Sequence, residues 1–174
     1  DSSRIYGQVH GNTSVTLSVN SAANGLGLGT YTDTVVFDDC GTGQGAFNRT
    51  VQLNVTAPDL EIVNVDAANG TYNPGDSLAV RGAYRNNGNE NIRSFTTRFY
   101  LSTNTTISDS DILIGSASYG PLNAGDSLNY GHSFTVPCIT PGLYYVGAIA
   151  TVAGDADTSD NVNYDPTRIG VELC

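Results

Sequence analysis

The tetrapeptide Gly-Asp-Ser-Leu occurs twice, at Gly75–Leu78 and at Gly125–Leu128, and each copy offers a serine beside a turn. Serine nucleophiles need a His base within hydrogen-bond reach, oriented in turn by an acid. The chain has only His10 and His132, and three residues before them stand Gly7 and Asn129, so no Asp-x-x-His exists to complete such a set. Both copies continue a turn, as Asn73-Pro74-Gly75-Asp76 and as Asn123-Ala124-Gly125-Asp126. Asp and Ser favour such places because their side chains bond nearby backbone amides. The repeat reads as turn chemistry. No catalytic residue and no enzyme activity are expected.

Oxygen-rich loops are the better candidates for binding. Asp109-Ser110-Asp111 forms one set, Asp155-Ala156-Asp157 with Asp160-Asn161 a second, and Asp38-Asp39 a third. Calcium takes roughly six to eight oxygens from carboxylates, carbonyls and water, which a loop can converge. Asp109, Asp111, Asp155, Asp157 and Asp160 are therefore the calcium candidates, although no EF-type loop is present and Asx turns account for the same residues. No other cofactor is expected. Gly25-Leu26-Gly27-Leu28-Gly29 imitates a phosphate loop, but a strand pattern follows it and phosphate needs a helix N-terminus. Tyr144-Tyr145 with Tyr119 or Tyr130 would make a glycan-stacking platform if exposed, whereas aromatics in alternating strands are more often core. The sequons at Asn12, Asn48, Asn54, Asn69 and Asn104 predict surface exposure more than glycosylation.

Charge excludes several partners. There are 17 acidic residues against seven basic ones, every basic one is Arg, and the net charge is −10. Nucleic acid and anionic membrane surfaces both require clustered cations. Without Lys there is no Schiff base and no Lys–Asn isopeptide cross-link. No apolar run reaches the roughly 18 residues of a membrane span. The chain starts at Asp1 with neither Met nor a signal-peptide pattern, which predicts processing or excision from something larger. Cys40, Cys138 and Cys174 form no C-x-x-C pair, so the expectation is one structural disulfide and one odd thiol in an oxidising compartment.

The elements that must position these residues are strands. Period-two alternation recurs and helical periodicity is nearly absent. Val15, Leu17 and Val19, then Tyr31–Phe37, then Val51, Leu53 and Val55 predict three strands before the linker Ala57-Pro58-Asp59. Seven more are predicted at 59–67, 76–86, 94–103, 112–119, 127–137, 142–153 and 163–173. Leu78, Val80 and Tyr84 oppose Arg81 and Arg85; Phe95, Phe99 and Leu101 oppose Arg98 and Tyr100; Ile169, Val171 and Leu173 close the set. Seven short strands with Gly, Asn and Pro turns suit an immunoglobulin-like sandwich. Cys138 follows the fifth of these strands and Cys174 ends the seventh, so both emerge at one pole and form the expected disulfide. Cys40 is then left unpaired or intermolecular.

Several stretches are familiar. Pro58–Val63, Tyr100–Asn104, Ile107–Gly115, Pro141–Ala150 and Asp160–Asn163 together resemble the CARDB family, the cell-adhesion-related domain of bacterial surface and secreted proteins. Residues 13–56 resemble the C-terminal part of a BACON-like bacterial Ig-like repeat, through Ser18–Leu26, Gly29–Phe37, Gly43–Gly45 and Arg49–Val55. These resemblances imply an extracellular setting and modules used as spacers, adhesive units or hydrolase appendages.

The expected architecture is all-β: an incomplete Ig-like module at 1–57 followed by a CARDB-like sandwich at 58–174. Three strands leave one apolar face uncovered, and such a face needs a partner. The favoured reading is a filament or surface-array subunit whose sheet a neighbouring chain completes by β-augmentation. The alternative is an accessory spacer or carbohydrate-binding module of a larger secreted protein.

Overall fold

The computed structural model describes residue 14, residues 16–37 and residues 47–174. It divides into two compact units, Asp1–Val55 and Thr56–Cys174. Cys40, His10, Val15, Asp38-Asp39 and the Gly43–Gly45 turn lie outside the described residues.

In the first unit, β1 (Gly29–Phe37) pairs antiparallel with β2 (Phe47–Val55), from Gly29 opposite Val55 to Phe37 opposite Phe47. Directly opposed residues share a face. One face therefore carries Tyr31, Val35, Phe37, Phe47, Val51, Leu53 and Val55 together with Asp33 and Arg49, and the other Thr30, Thr32, Thr34, Asn48, Thr50, Gln52 and Asn54 together with Val36. The strand expected around Leu17 and Val19 does not form: residues 16–20 have no regular structure and both side chains are exposed. Alternation makes a strand only where a neighbour supplies the ladder. Asn20 instead caps a short 3-10 turn, Ser21–Gly25, its carboxamide accepting from the Ala22 amide at 2.9 Å.

The second unit is an immunoglobulin-like sandwich. Its strands are β3 (Leu60–Ala67), β4 (Thr71–Tyr72), β5 (Ser77–Asn86), β6 (Phe95–Ser102), β7 (Ile112–Tyr119), β8 (Ser127–Thr135), β9 (Gly142–Thr151), β10 (Val162–Tyr164) and β11 (Ile169–Val171). One sheet has the order β3-β5-β8; the other runs β4-β11-β9-β6-β7, with β10 also on β9. Leu60, Ile62, Leu78, Val80 and Tyr84 from the first sheet meet Phe95, Phe99, Leu101, Val146, Ala148 and Ile169 from the second in one core.

The duplicated tetrapeptide has a structural origin in this sandwich. Ser77 pairs with Thr135 and Arg85 with Ser127, so the local two-fold between β5 and β8 relates Gly75–Leu78 to Gly125–Leu128. Each copy clamps the end of the other's strand. Gly75 N–H donates to Val136 O (2.9 Å) and Val136 N–H to Asp76 O (2.9 Å); Gly125 N–H donates to Asn86 O (2.9 Å) and Asn86 N–H to Asp126 O (3.0 Å). Both glycines have positive φ, +96° and +79°, which a side chain would oppose.

Three expectations need correction. The seventh predicted strand is two strands, because Pro166 has no amide to donate and Asp165 turns inward to accept from the amides of Ala67 (2.8 Å) and Thr167 (2.7 Å). Leu173 is 75% exposed, beyond the end of β11. Tyr100 faces away from the core yet is buried: Ile107 lies in contact distance of Gly147 on the neighbouring strand, and the Tyr100 hydroxyl donates to Asp109. Cys138 and Cys174 are bonded, Cα–Cα 5.6 Å, joining the chain after β8 to the chain after β11.

Candidate functional site

Among the described residues no hydrogen bond links the serines of the two tetrapeptides to a His. Ser77 and Ser127 are exposed at strand starts, whereas the His132 Nε2 shares a hydrogen bond with the Tyr119 hydroxyl at 2.7 Å. Ser127 is five positions from His132 along β8, about 17 Å at strand rise. Their Asp neighbours hold turns: the Asp76 carboxylate accepts from Asn73 N–H at 2.7 Å, and that of Asp126 from the Asn123 amide at 2.9 Å.

The strand directions place the acidic candidates at opposite ends of the sandwich. Asp109 and Asp111 lie in the β6–β7 loop; Asp155, Asp157 and Asp160 lie in the β9–β10 loop, beside the start of β3. Asp109 already has a counter-charge, Arg98 at 3.2 Å. The Tyr100 hydroxyl, then Arg98, hold its carboxyl below the ordinary range. Asp111 accepts from the Ser108 amide at 2.7 Å and caps its own turn.

The other end is different. Asp155 accepts from Asp157 N–H (3.1 Å) and the Asn161 amide (2.8 Å), and Asp157 from Ser159 N–H (2.9 Å), so these two carboxylates shape the loop. The Ser159 bonds lower the Asp157 pKa. The loop is stitched to β3: Ala156 N–H donates to Pro58 O (2.9 Å), Ile62 N–H to Asp160 O (3.0 Å), and the Asn163 amide to Ile62 O (2.8 Å) where β3 bulges. This brings Asp59 against the loop, although it is nearly a hundred positions away in sequence and belongs there only to the linker and the CARDB-like opening. Burial, then Asp155 and Asp157, raise the Asp59 pKa. Burial, then Asp59 and Asp157, push Asp160 up to about 6. Asp59 Oδ1, Asp160 Oδ1 and Asn161 Oδ1 are buried and accept no hydrogen bond. Among the described residues, no three acidic, His or Cys side chains converge as a metal centre.

The tyrosines do not form a flat platform. Tyr144 and Tyr130 are buried, and half-buried Tyr145 meets Tyr164 edge-on at 83°, with Arg168 over its ring at 5.7 Å. No helix among the described residues is long and apolar enough to cross a membrane.

A mainly antiparallel two-sheet sandwich whose loop carboxylates mainly cap turns defines an immunoglobulin-like module. The chain belongs to the CARDB family, matched over residues 57–164; the match does not extend to residues 13–56. The CARDB domain is a non-catalytic module of bacterial surface proteins. Similar solved structures include a CARDB domain from Pyrococcus furiosus in complex with di-metal ions (16% identity, 70% of this chain and 100% of that one, TM-score 0.49). Others are β-glucosidases from Erythrobacter marinus (16% identity, 66% and 16% of the two chains, TM-score 0.41) and, in complex with glucose, from Listeria innocua (18% identity, 68% and 17%, TM-score 0.43). No curated protein matches the chain.

Proposed function

We propose that the chain is an extracellular structural or adhesive protein without catalytic activity, and that it assembles with copies of itself through its N-terminal unit. The observation that carries this reading is the β1–β2 sheet. It is amphipathic, with Tyr31 and Phe47 exposed on its apolar face, and among the described residues no third strand pairs with it. A two-stranded sheet is marginal in water, and an open edge beside apolar side chains is a template for strand addition. A neighbour's strand at that edge would propagate head to tail, giving a filament or array. The CARDB sandwich then serves as the stiff body, closed by the Cys138–Cys174 disulfide, a bond suited to an oxidising exterior.

Gel filtration with light scattering and negative-stain microscopy, across a concentration series, test this. Ordered oligomers are expected from the native chain, and the double variant Tyr31→Lys/Phe47→Lys should reduce them to monomers. Compact monomers of the native chain at every concentration would overturn assembly and leave the accessory-module reading. In that case the half-buried Tyr145–Tyr164 pair is the aromatic site to probe with glycans.

A further inference from the structure

The β9–β10 end of the sandwich contains a charge arrangement that its own hydrogen bonds leave incomplete. Asp59 Oδ1, Asp160 Oδ1 and Asn161 Oδ1 are three buried oxygens without donors. Asn161 is 4% exposed, and its amide nitrogen donates to Asp155 at 2.8 Å, which aims the carboxamide into the acidic group. Buried acceptors are ordinarily satisfied, and an exception calls for an unseen water or ion. No cationic side chain answers the charge: among the described residues the sole ion pair is Arg98–Asp109, at the opposite end. Isolated buried carboxylates are costly unless paired or bound to metal.

We propose that Asp59, Asp160 and Asn161 bind one calcium ion, with Asp155 and Asp157 holding the loop around it and water and main-chain carbonyls completing the shell. Two carboxylates and a neutral amide oxygen on two chain segments form an all-oxygen, irregular set. Calcium accepts such geometry, whereas magnesium demands a near-ideal octahedron. Zinc is disfavoured because no His or Cys is among these residues. Bound calcium would tie the start of β3 to the β9–β10 loop, reinforcing the Ile62–Asp160 and Pro58–Ala156 backbone bonds.

The test is calorimetric titration of the full chain, stripped with chelator, with calcium chloride, together with thermal melts in calcium, magnesium and chelator. Expected are one site per chain and a melting temperature at least about 5 °C higher in saturating calcium, because a ligand of the native state stabilises by mass action. Asp160→Asn and Asp59→Asn should each weaken binding at least tenfold. Without metal, both should melt at or above the native temperature, since each removes a like charge. Asp109→Asn, at the far end, should bind as the native chain does. Absence of both heat and melting shift in the native chain would overturn the proposal, as would native-like affinity in both Asp59→Asn and Asp160→Asn.

Discussion

Single residues in this sandwich matter most where backbone and side chain cross. At Gly82, in the middle of β5, a Cβ would lie 2.1 Å from Asn64 O and 2.5 Å from the Tyr130 hydroxyl oxygen. The Tyr130 hydroxyl donates to that same Asn64 carbonyl at 3.2 Å, so the missing side chain lets a buried phenol reach its acceptor. Gly82→Ala must push backbone aside. It should cost about 1–3 kcal/mol, the range for overpacking, read from the urea midpoint at unchanged slope. An unchanged midpoint would mean that β3 and β5 are looser than the structure shows. The same scale explains Asn163, whose amide bonds Ile62 O and Val63 O at the bulge of β3 and replaces the ladder bonds lost there.

At the scale of elements, the terminal strand is held in two ways. β11 is three residues long and pairs with β9 and, in parallel, with two-residue β4. So short a strand gains little from its ladder, and the disulfide after it closes a loop with a sequence separation of 36. Loop-closure entropy places that constraint at about 3–4 kcal/mol. Cys138→Ser should lower unfolding free energy by that order in urea, with a reductant producing the same loss in the native chain. A reductant that leaves the midpoint unmoved would show that the bond constrains little.

The whole molecule has a pH limit set by its aromatic core. Tyr84 stacks on Tyr130 with centroids 4.7 Å apart and meets Phe95 and Tyr119 edge-on, and burial holds the phenols of Tyr84 and Tyr130 far above their ordinary pKa. A phenol whose folded pKa exceeds its unfolded one contributes stability that is complete below about pH 10 and lost as pH rises beyond it, because only the unfolded chain ionises there. Absorbance at 295 nm should therefore show the phenols of Tyr84 and Tyr130 ionising only together with loss of the β circular-dichroism signal. A single titration complete before the fold is lost would contradict this packing.

Alternation in β5, β6 and β9, the Gly-Asp turns and the CARDB stretches made the sandwich legible from residues alone, because inward and outward positions follow from the two-residue period of a strand. The turn role of the duplicated Gly-Asp-Ser-Leu was legible too, from the Asn-Pro and Asn-Ala that precede the two copies. Local pattern could not say that Asp165 and Pro166 break the last strand, since that depends on Asp165 reaching Ala67 across the fold. Nor could it bury Tyr100, which needs the β6–β7 loop folded over it. Composition collected five acidic candidates in a row of loops; only the antiparallel course of the strands sent Asp109 and Asp111 to one end and the others to the opposite one. Asp59 joins that second group, where Asn161 already stood in the sequence, because strand pairing sets the start of β3 beside the loop before β10.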